Sequence, residues 1–147
     1  MNTKRFMRLT DLPKQPKGHC RWCGNPVPKG RRRWCSQRCV DEFTIRAWPS
    51  HVRHIVFRRD KGVCAICHID NEAERAKVAE ARQEGWRQRK AALRWEVDHI
   101  VPVGDGGGGC GLDNLQTLCV PCHRAKTARQ AAEKALRRRT AKQPEFL

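Results

Sequence analysis

"WEVDHIVPVGDGGGGCGLDNLQTLCVPCH", residues 95–123, carries an Asp-His pair, a glycine run, an Asn and a Cys-x2-Cys-His in close succession. Trp95 to Val103 alternates apolar and polar side chains and reads as a strand. Asp105 to Gly111 must turn, because most of its positions are glycine. It is not a phosphate-binding P-loop, since no Gly-Lys-Ser or Gly-Lys-Thr follows. "LDNLQTL" then leads into Cys119-Val-Pro-Cys122, and a helix is expected over about 121–138, with Pro121 tolerable in its first turn. Strand, turn, knuckle and helix in this order predict an α+β fold.

The knuckle needs partners. The chain has nine cysteines in 147 residues, and eight of them fall into closely spaced pairs. The N-terminal "MNTKRFMRLTDLPK" holds no apolar run suited to a signal sequence, and no stretch approaches the roughly 20 apolar residues of a membrane span. The reading is therefore intracellular, cytoplasmic in a bacterial or phage setting and nuclear in a eukaryotic one. In a reducing compartment Cys-x2-Cys pairs are zinc ligands rather than disulfides. Cys20, Cys23, Cys35 and Cys39 make one complete set, and Cys64, Cys67, Cys119 and Cys122 make another. Two structural zinc ions follow, because four thiolates leave no open coordination position for chemistry. Cys110 is left over and is assigned to packing. His19 and His68 adjoin knuckles and are the alternative ligands.

Hydrophobic residues make up 39% of the chain, so the apolar core is expected to be marginal without such staples. Residues 1–18 read as a flexible basic arm and 19–48 as an N-terminal four-cysteine knuckle. The knuckle runs into a short helix, "VDEFTIRAW", with Val40, Phe43 and Ile45 or Ala47 inside. Residues 49–138 form the main domain. There Ser50 is the expected N-cap of "HVRHIVFRRD", a helix burying Val52, Ile55 and Val56. Residues 72–94 read as a helical insertion, interrupted near Gly85. Residues 139–147 are a basic tail. Most of the five tryptophans are expected in the core, and one on the N-terminal knuckle is a candidate for stacking on a base.

Thirty-one Lys and Arg against fifteen Asp and Glu give a net charge of +16. Such an excess attracts polyanions by long-range electrostatics and counterion release, which makes nucleic acid the expected partner and disfavours a membrane one. Arg31 to Arg33, Arg58, Arg59 and Arg137 to Arg139 form the candidate set of phosphate contacts.

If the strand packs on the final helix, Asp98 and His123 can face one another across a gap of metal-site size. A carboxylate oxygen and an imidazole nitrogen suit a catalytic divalent ion, Mg²⁺ or Mn²⁺ first and Co²⁺ or Ni²⁺ as alternatives. Successive strand side chains point to opposite faces, so Asp98 and His99 divide the labour: Asp98 holds metal and His99 activates water.

"VDHIVPV...GG...LDNLQTLC..CH" resembles the HNH, or ββα-metal, endonuclease family, in its subgroup with a four-cysteine structural zinc. His99, Asn114 and His123 match the three letters of the name, and Asp98 matches the acidic residue beside the first His. "WCSQRCVDEFTIR" and "DNLQTLC..CH...TARQ" are similar to the nuclease module of the vertebrate annealing helicase. The resemblance implies a zinc-stapled ββα-metal core with His99 as general base and with Asp98 and His123 as metal ligands. Asn114 would brace the loop between the strands. The implied activity is metal-dependent hydrolysis of DNA, duplex or branched. The alternative from another class is a non-catalytic zinc-knuckle module that binds nucleic acid or a protein partner. Substrate sequence, the choice of DNA over RNA and the oligomeric state are not written in these motifs.

Overall fold

The computed structural model describes residues 6–80, 94–109 and 111–141. The helix break expected near Gly85 and the spare Cys110 lie outside the described residues, as do residues 142–147 of the basic tail. The chain forms two compact units, Met1–Asp60 with His99–Gln116, and Lys61–Asp98 with Thr117–Leu147.

In the first unit, Ser36 caps α1 (Gln37–Ala47) by accepting the Cys39 backbone N–H at 3.3 Å. Helix α1 buries Phe43, Ile45 and Ala47, the expected face, together with the carboxylates of Asp41 and Glu42. Phe43 and Ala47 pack with Leu12, and Met7, Leu9, Trp22 and Trp34 close around them. The expectation of a flexible arm over 1–18 is therefore corrected from Met7 onward. Met7 N–H donates to the Arg46 carbonyl at 3.2 Å, and Leu9–Asp11 forms a 3-10 turn. The physical reason is that so small a core gains from covering its edge with the apolar side chains of Met7, Leu9 and Leu12. Trp34 lies 5.2 Å from Phe43 and Trp22 sits under the Arg46 guanidinium at 4.7 Å, so both knuckle tryptophans take part in packing.

Helix α2 (Val52–Asp60) grows out of a 3-10 turn, Pro49–His51, and buries Ile55 and Val56. Ser50 lies inside that turn instead of capping α2, because Pro49 with its preset φ already occupies the first position. Arg58 pairs with Asp41, and Arg59 donates to the carbonyls of Leu112 and Leu115, each at 2.7 Å. These two arginines brace the fold. Arg31 to Arg33 remain on the surface.

The second unit holds α3 (Asn71–Glu80) and α4 (Val120–Thr140). Asp70 caps α3 by accepting the N–H groups of Glu72 and Ala73 at 3.0 and 2.9 Å. Trp95 is buried and donates its indole N–H to Glu72 at 2.9 Å, which ties α3 to the strand. Leu118 packs with Cys64 and Cys119, so two of the three core residues are zinc-ligand candidates. Beyond Lys126, every residue of α4 except Gln130 is exposed, Arg137 to Arg139 included.

Strands β1 (Trp95–His99) and β2 (Leu115–Cys119) form a two-stranded sheet. The run expected to reach Val103 ends at His99. Pro102 has no N–H to donate, and the chain turns at Val103–Asp105. Among the described residues no helix is long and apolar enough to cross a membrane.

Candidate active site and zinc centres

Each cysteine set converges. The sulfurs of Cys20, Cys23, Cys35 and Cys39 lie within 4.8 Å of one another, as do those of Cys64, Cys67, Cys119 and Cys122. A tetrahedron with zinc–sulfur arms of about 2.3 Å has edges of about 3.8 Å. Cys23 to Cys35 is 3.4 Å, Cys35 to Cys39 is 3.5 Å, and Cys67 to Cys119 is 3.6 Å. The eight thiols fit two zinc ions, and neither His19 nor His68 is needed to complete a set.

The knuckles are local copies of one another. Cys20 N–H donates to the Asn25 carbonyl and Gly24 N–H to Cys20; in the second knuckle Cys64 N–H donates to Ile69 and His68 N–H to Cys64, all at 2.8–3.0 Å. Gly18 and Gly62 both adopt positive φ, +82° and +80°. The closing residue is also left-handed in both, Gly24 in the first and His68, at φ 60°, in the second. The shared pattern is Gly-x-Cys-x-x-Cys, ending in a left-handed residue. In each unit a helix start supplies the second pair of thiols, α1 with Cys35 and Cys39, α4 with Cys119 and Cys122.

The same geometry biases the thiols. Burial pushes the Cys20 thiol up, but the backbone N–H groups of Cys23, Cys35 and Trp22 outweigh it and bring it down to about 6. Cys64 also comes down to about 6, burial being outweighed by the N–H groups of Cys67, Cys119 and Ile66. Burial carries Cys39 up to about 12, and the neighbouring Cys119 thiol carries Cys122 up to about 12. Each knuckle therefore holds one ready thiolate.

A second cluster lies within the second unit, between β1 and α4. Alternation along β1 puts Glu96 and Asp98 on one face, and helical spacing puts His123 and Lys126 on one face of α4. His123 Nδ1 is 2.8 Å from Glu96 Oε2, and His123 Nε2 is 3.6 Å from Asp98 Oδ1. The Lys126 ammonium pairs with the other Asp98 oxygen, Oδ2. Glu96 is placed to accept a hydrogen bond from Nδ1, and Nε2 is the ring nitrogen that faces Asp98. Two donors each about 2.1 Å from an ion stand roughly 3.0–3.6 Å apart at angles between about 90° and 120°, so the Asp98 and His123 atoms fit a shared divalent ion.

His99 follows Asp98 in the chain, belongs to the first unit and is half-buried. The loop after it is fastened by Asn114. Asn114 Oδ1 accepts the Val101 N–H at 2.7 Å, and its Nδ2 donates to the carbonyls of Val101 and Gly107 at 3.1 and 3.2 Å. Its own carbonyl takes the Ile100 N–H at 2.8 Å. Helix α1 supports this turn: the buried Glu42 accepts the Leu112 N–H at 3.1 Å.

Structure thus brings Asp98 and His123 together and makes Asn114 a loop brace. Glu96 and Lys126 were missed. Their signals were present, one residue to either side of Val97 in "EVD" and three residues along from the histidine in "HRAK". Glu42 carried no such signal, since a glutamate on a surface-like helix says nothing of a distant loop.

A family model described as HNH endonuclease matches residues 85–129. The chain is similar to "DNA annealing helicase and endonuclease ZRANB3" of Homo sapiens, at 38% identity over 71% of this chain and 12% of the relative. The Mus musculus protein of the same name is 41% identical with the same coverage. The chain spans 12% of the length of these curated relatives. Among solved structures it is similar to the human ZRANB3 HNH domain, at 35% identity over 61% of this chain and 95% of that one, with a TM-score of 0.46.

Proposed function

We propose that this chain, whose residues 85–129 match a family model described as HNH endonuclease, is a divalent-metal-dependent endonuclease that hydrolyses DNA phosphodiester bonds. The observation that carries the reading is the Asp98 Oδ1 to His123 Nε2 pair at 3.6 Å, with the imidazole fixed by Glu96. Asp98 stands on β1, and the residue after it, the last of the strand, is His99. Asp98 and His123 would hold the divalent ion, Mg²⁺, Mn²⁺, Co²⁺ or Ni²⁺. When bound, the ion supplies charge stabilisation at phosphorus and assistance to the departing oxygen. His99 takes the proton of the attacking water, and Asn114 keeps the loop that follows His99 in one conformation. The N-terminal knuckle and the basic surface, including Arg31 to Arg33 and Arg137 to Arg139, dock duplex or branched DNA through its phosphates.

The test is cleavage of supercoiled plasmid by wild type and His99→Ala side by side, each with one of the four ions or excess chelator. Metal-dependent nicking by wild type, with at least about a 10²-fold loss in His99→Ala, is expected for removal of a general base. Full cutting by His99→Ala would remove His99 from the mechanism. A zinc-loaded, folded wild type that cuts neither plasmid nor branched DNA with any ion would favour the non-catalytic binding module.

A further inference from the structure

Lys126 is one of the most buried charged side chains among the described residues, at 7% exposure, and its ammonium sits on the 14%-exposed carboxylate of Asp98. Placing a fixed cation against a metal ligand works against binding a second cation there. We propose that Lys126 is a positioning residue that makes ion binding depend on substrate: the Asp98–His123 site takes its divalent ion tightly only together with a phosphodiester. This inference rests on the metal-site reading above.

The argument is one of charge and geometry. Lys126 occupies Oδ2, so Oδ1 is the oxygen turned toward His123 Nε2. The pair Asp98 and Lys126 is neutral, and as a metal ligand His123 would bind through a neutral imidazole, adding no charge. Among the described residues Glu96 is the other carboxylate in contact with this cluster, and it is half exposed, so water screens it. An incoming divalent ion therefore meets a site with about one screened negative charge. Lys126 does not move aside readily, because withdrawing it would leave a largely buried carboxylate uncompensated. A phosphodiester brings the missing anion. With DNA in place the ion gains a negative partner, and the same ammonium then also faces a more anionic site.

Binding of Mn²⁺ to zinc-loaded protein, followed by calorimetry or by the electron spin resonance signal of the free ion, tests this directly. A phosphorothioate duplex that resists cleavage serves as the substrate probe, with duplex alone as the blank. For wild type, Mn²⁺ affinity is expected to rise at least roughly tenfold when the duplex is present. In Lys126→Met, which keeps the length of the stem and removes the charge, Mn²⁺ should bind at least roughly tenfold more tightly without DNA. The further gain from DNA should shrink.

A Lys126→Met protein that melts like wild type yet binds Mn²⁺ no more tightly overturns the proposal. So does a wild type that binds Mn²⁺ equally well with and without duplex. Should Lys126→Met fail to fold, Lys126→Gln and the wild-type comparison decide. Asp98→Asn separates the two levels: if it leaves Mn²⁺ binding unchanged, the metal site itself is wrong and this inference falls with it.

Discussion

Adding one methyl group at Gly107 should disable the loop next to His99, while the same change three residues earlier should do almost nothing. A Cβ at Gly107 would stand 1.8 Å from the Val101 carbonyl oxygen and 2.8 Å from Asn114 Nδ2. Ordinary carbon–oxygen contact needs more than about 3 Å, so the backbone must part by more than about 1 Å. That separation breaks the Asn114 bonds to Val101 and Gly107, which are 3.1 and 3.2 Å long. Two hydrogen bonds at about 1 kcal/mol each would be lost locally. The larger effect is on chemistry, since a displacement of about 1 Å in a catalytic group's support can cost on the order of 10²-fold in rate. At Gly104 the added Cβ meets nothing within 4 Å, and the backbone there is not left-handed. Single-turnover plasmid nicking, with zinc content and melting temperature measured on the same samples, gives the comparison. The expected result is a loss of roughly 10²-fold for Gly107→Ala and less than about twofold for Gly104→Ala, both zinc-loaded. Equal activity of the two variants would refute the claim that the close approach of Val101, Gly107 and Asn114 holds the site.

Glu96→Gln should weaken Mn²⁺ binding roughly 10- to 100-fold in a protein that still folds, because the His123 ring loses the carboxylate that fixes its tautomer; unchanged affinity would deny Glu96 that role. Zinc removal by a strong chelator should abolish cooperative melting and most helical signal, since so few apolar residues are buried that metal binding supplies the folding energy. Acid should act the same way with a defined onset. Cys20 and Cys64 are depressed from 9.0 to about 6, so the stabilisation from their thiolates is complete above 9.0, declines below it and is gone below about 6. Zinc release to a chromogenic chelator should therefore increase as the pH is lowered, whereas release that does not change with pH would contradict the placement of the backbone N–H donors.

What the sequence made legible is what depends on spacing. The cysteine pairs, the turn forced by glycines and the helix after Cys122 are all set by residues close together in the chain. The part that could not be read comes from packing across longer distances. The fate of Met7, Leu9 and Leu12 depended on how little apolar surface the rest of the first unit could bury, a sum no local pattern displays. Arg58 and Arg59 read as phosphate ligands because charge alone was visible. Their carboxylate and carbonyl partners, Asp41, Leu112 and Leu115, appear only once α1 and the turn before β2 are folded. Glu96 and Lys126 lay between these cases. Their positions on the right faces were written in the periods of strand and helix, but their relevance required His123 to be placed first.

Two four-cysteine groups, each able to hold zinc, would explain how so small a core positions chemistry at all. In the first unit the knuckle at Cys20 and Cys23 is joined to the start of α1. Three residues beyond Cys39, that helix presents Glu42 and its neighbours, and Glu42 holds the turn that carries Asn114. Gly111 is part of the same contact, because a Cβ there would come within 2.9 Å of a Glu42 oxygen. In the second unit the knuckle at Cys64 and Cys67 is joined to the start of α4, whose next residues are His123 and Lys126. A zinc ion in each group would thus fix the first turn of one helix, and each helix delivers a proposed functional group within about one further turn. A lever so short transmits little error, which is what a constellation needs when the surrounding apolar packing cannot hold it rigid. It follows that a ligand substitution such as Cys119→Ser should damage the Mn²⁺ site through His123 even where some helical structure survives. By the same reasoning Cys35→Ser should act through Asn114, lowering cleavage while leaving Mn²⁺ affinity close to that of wild type.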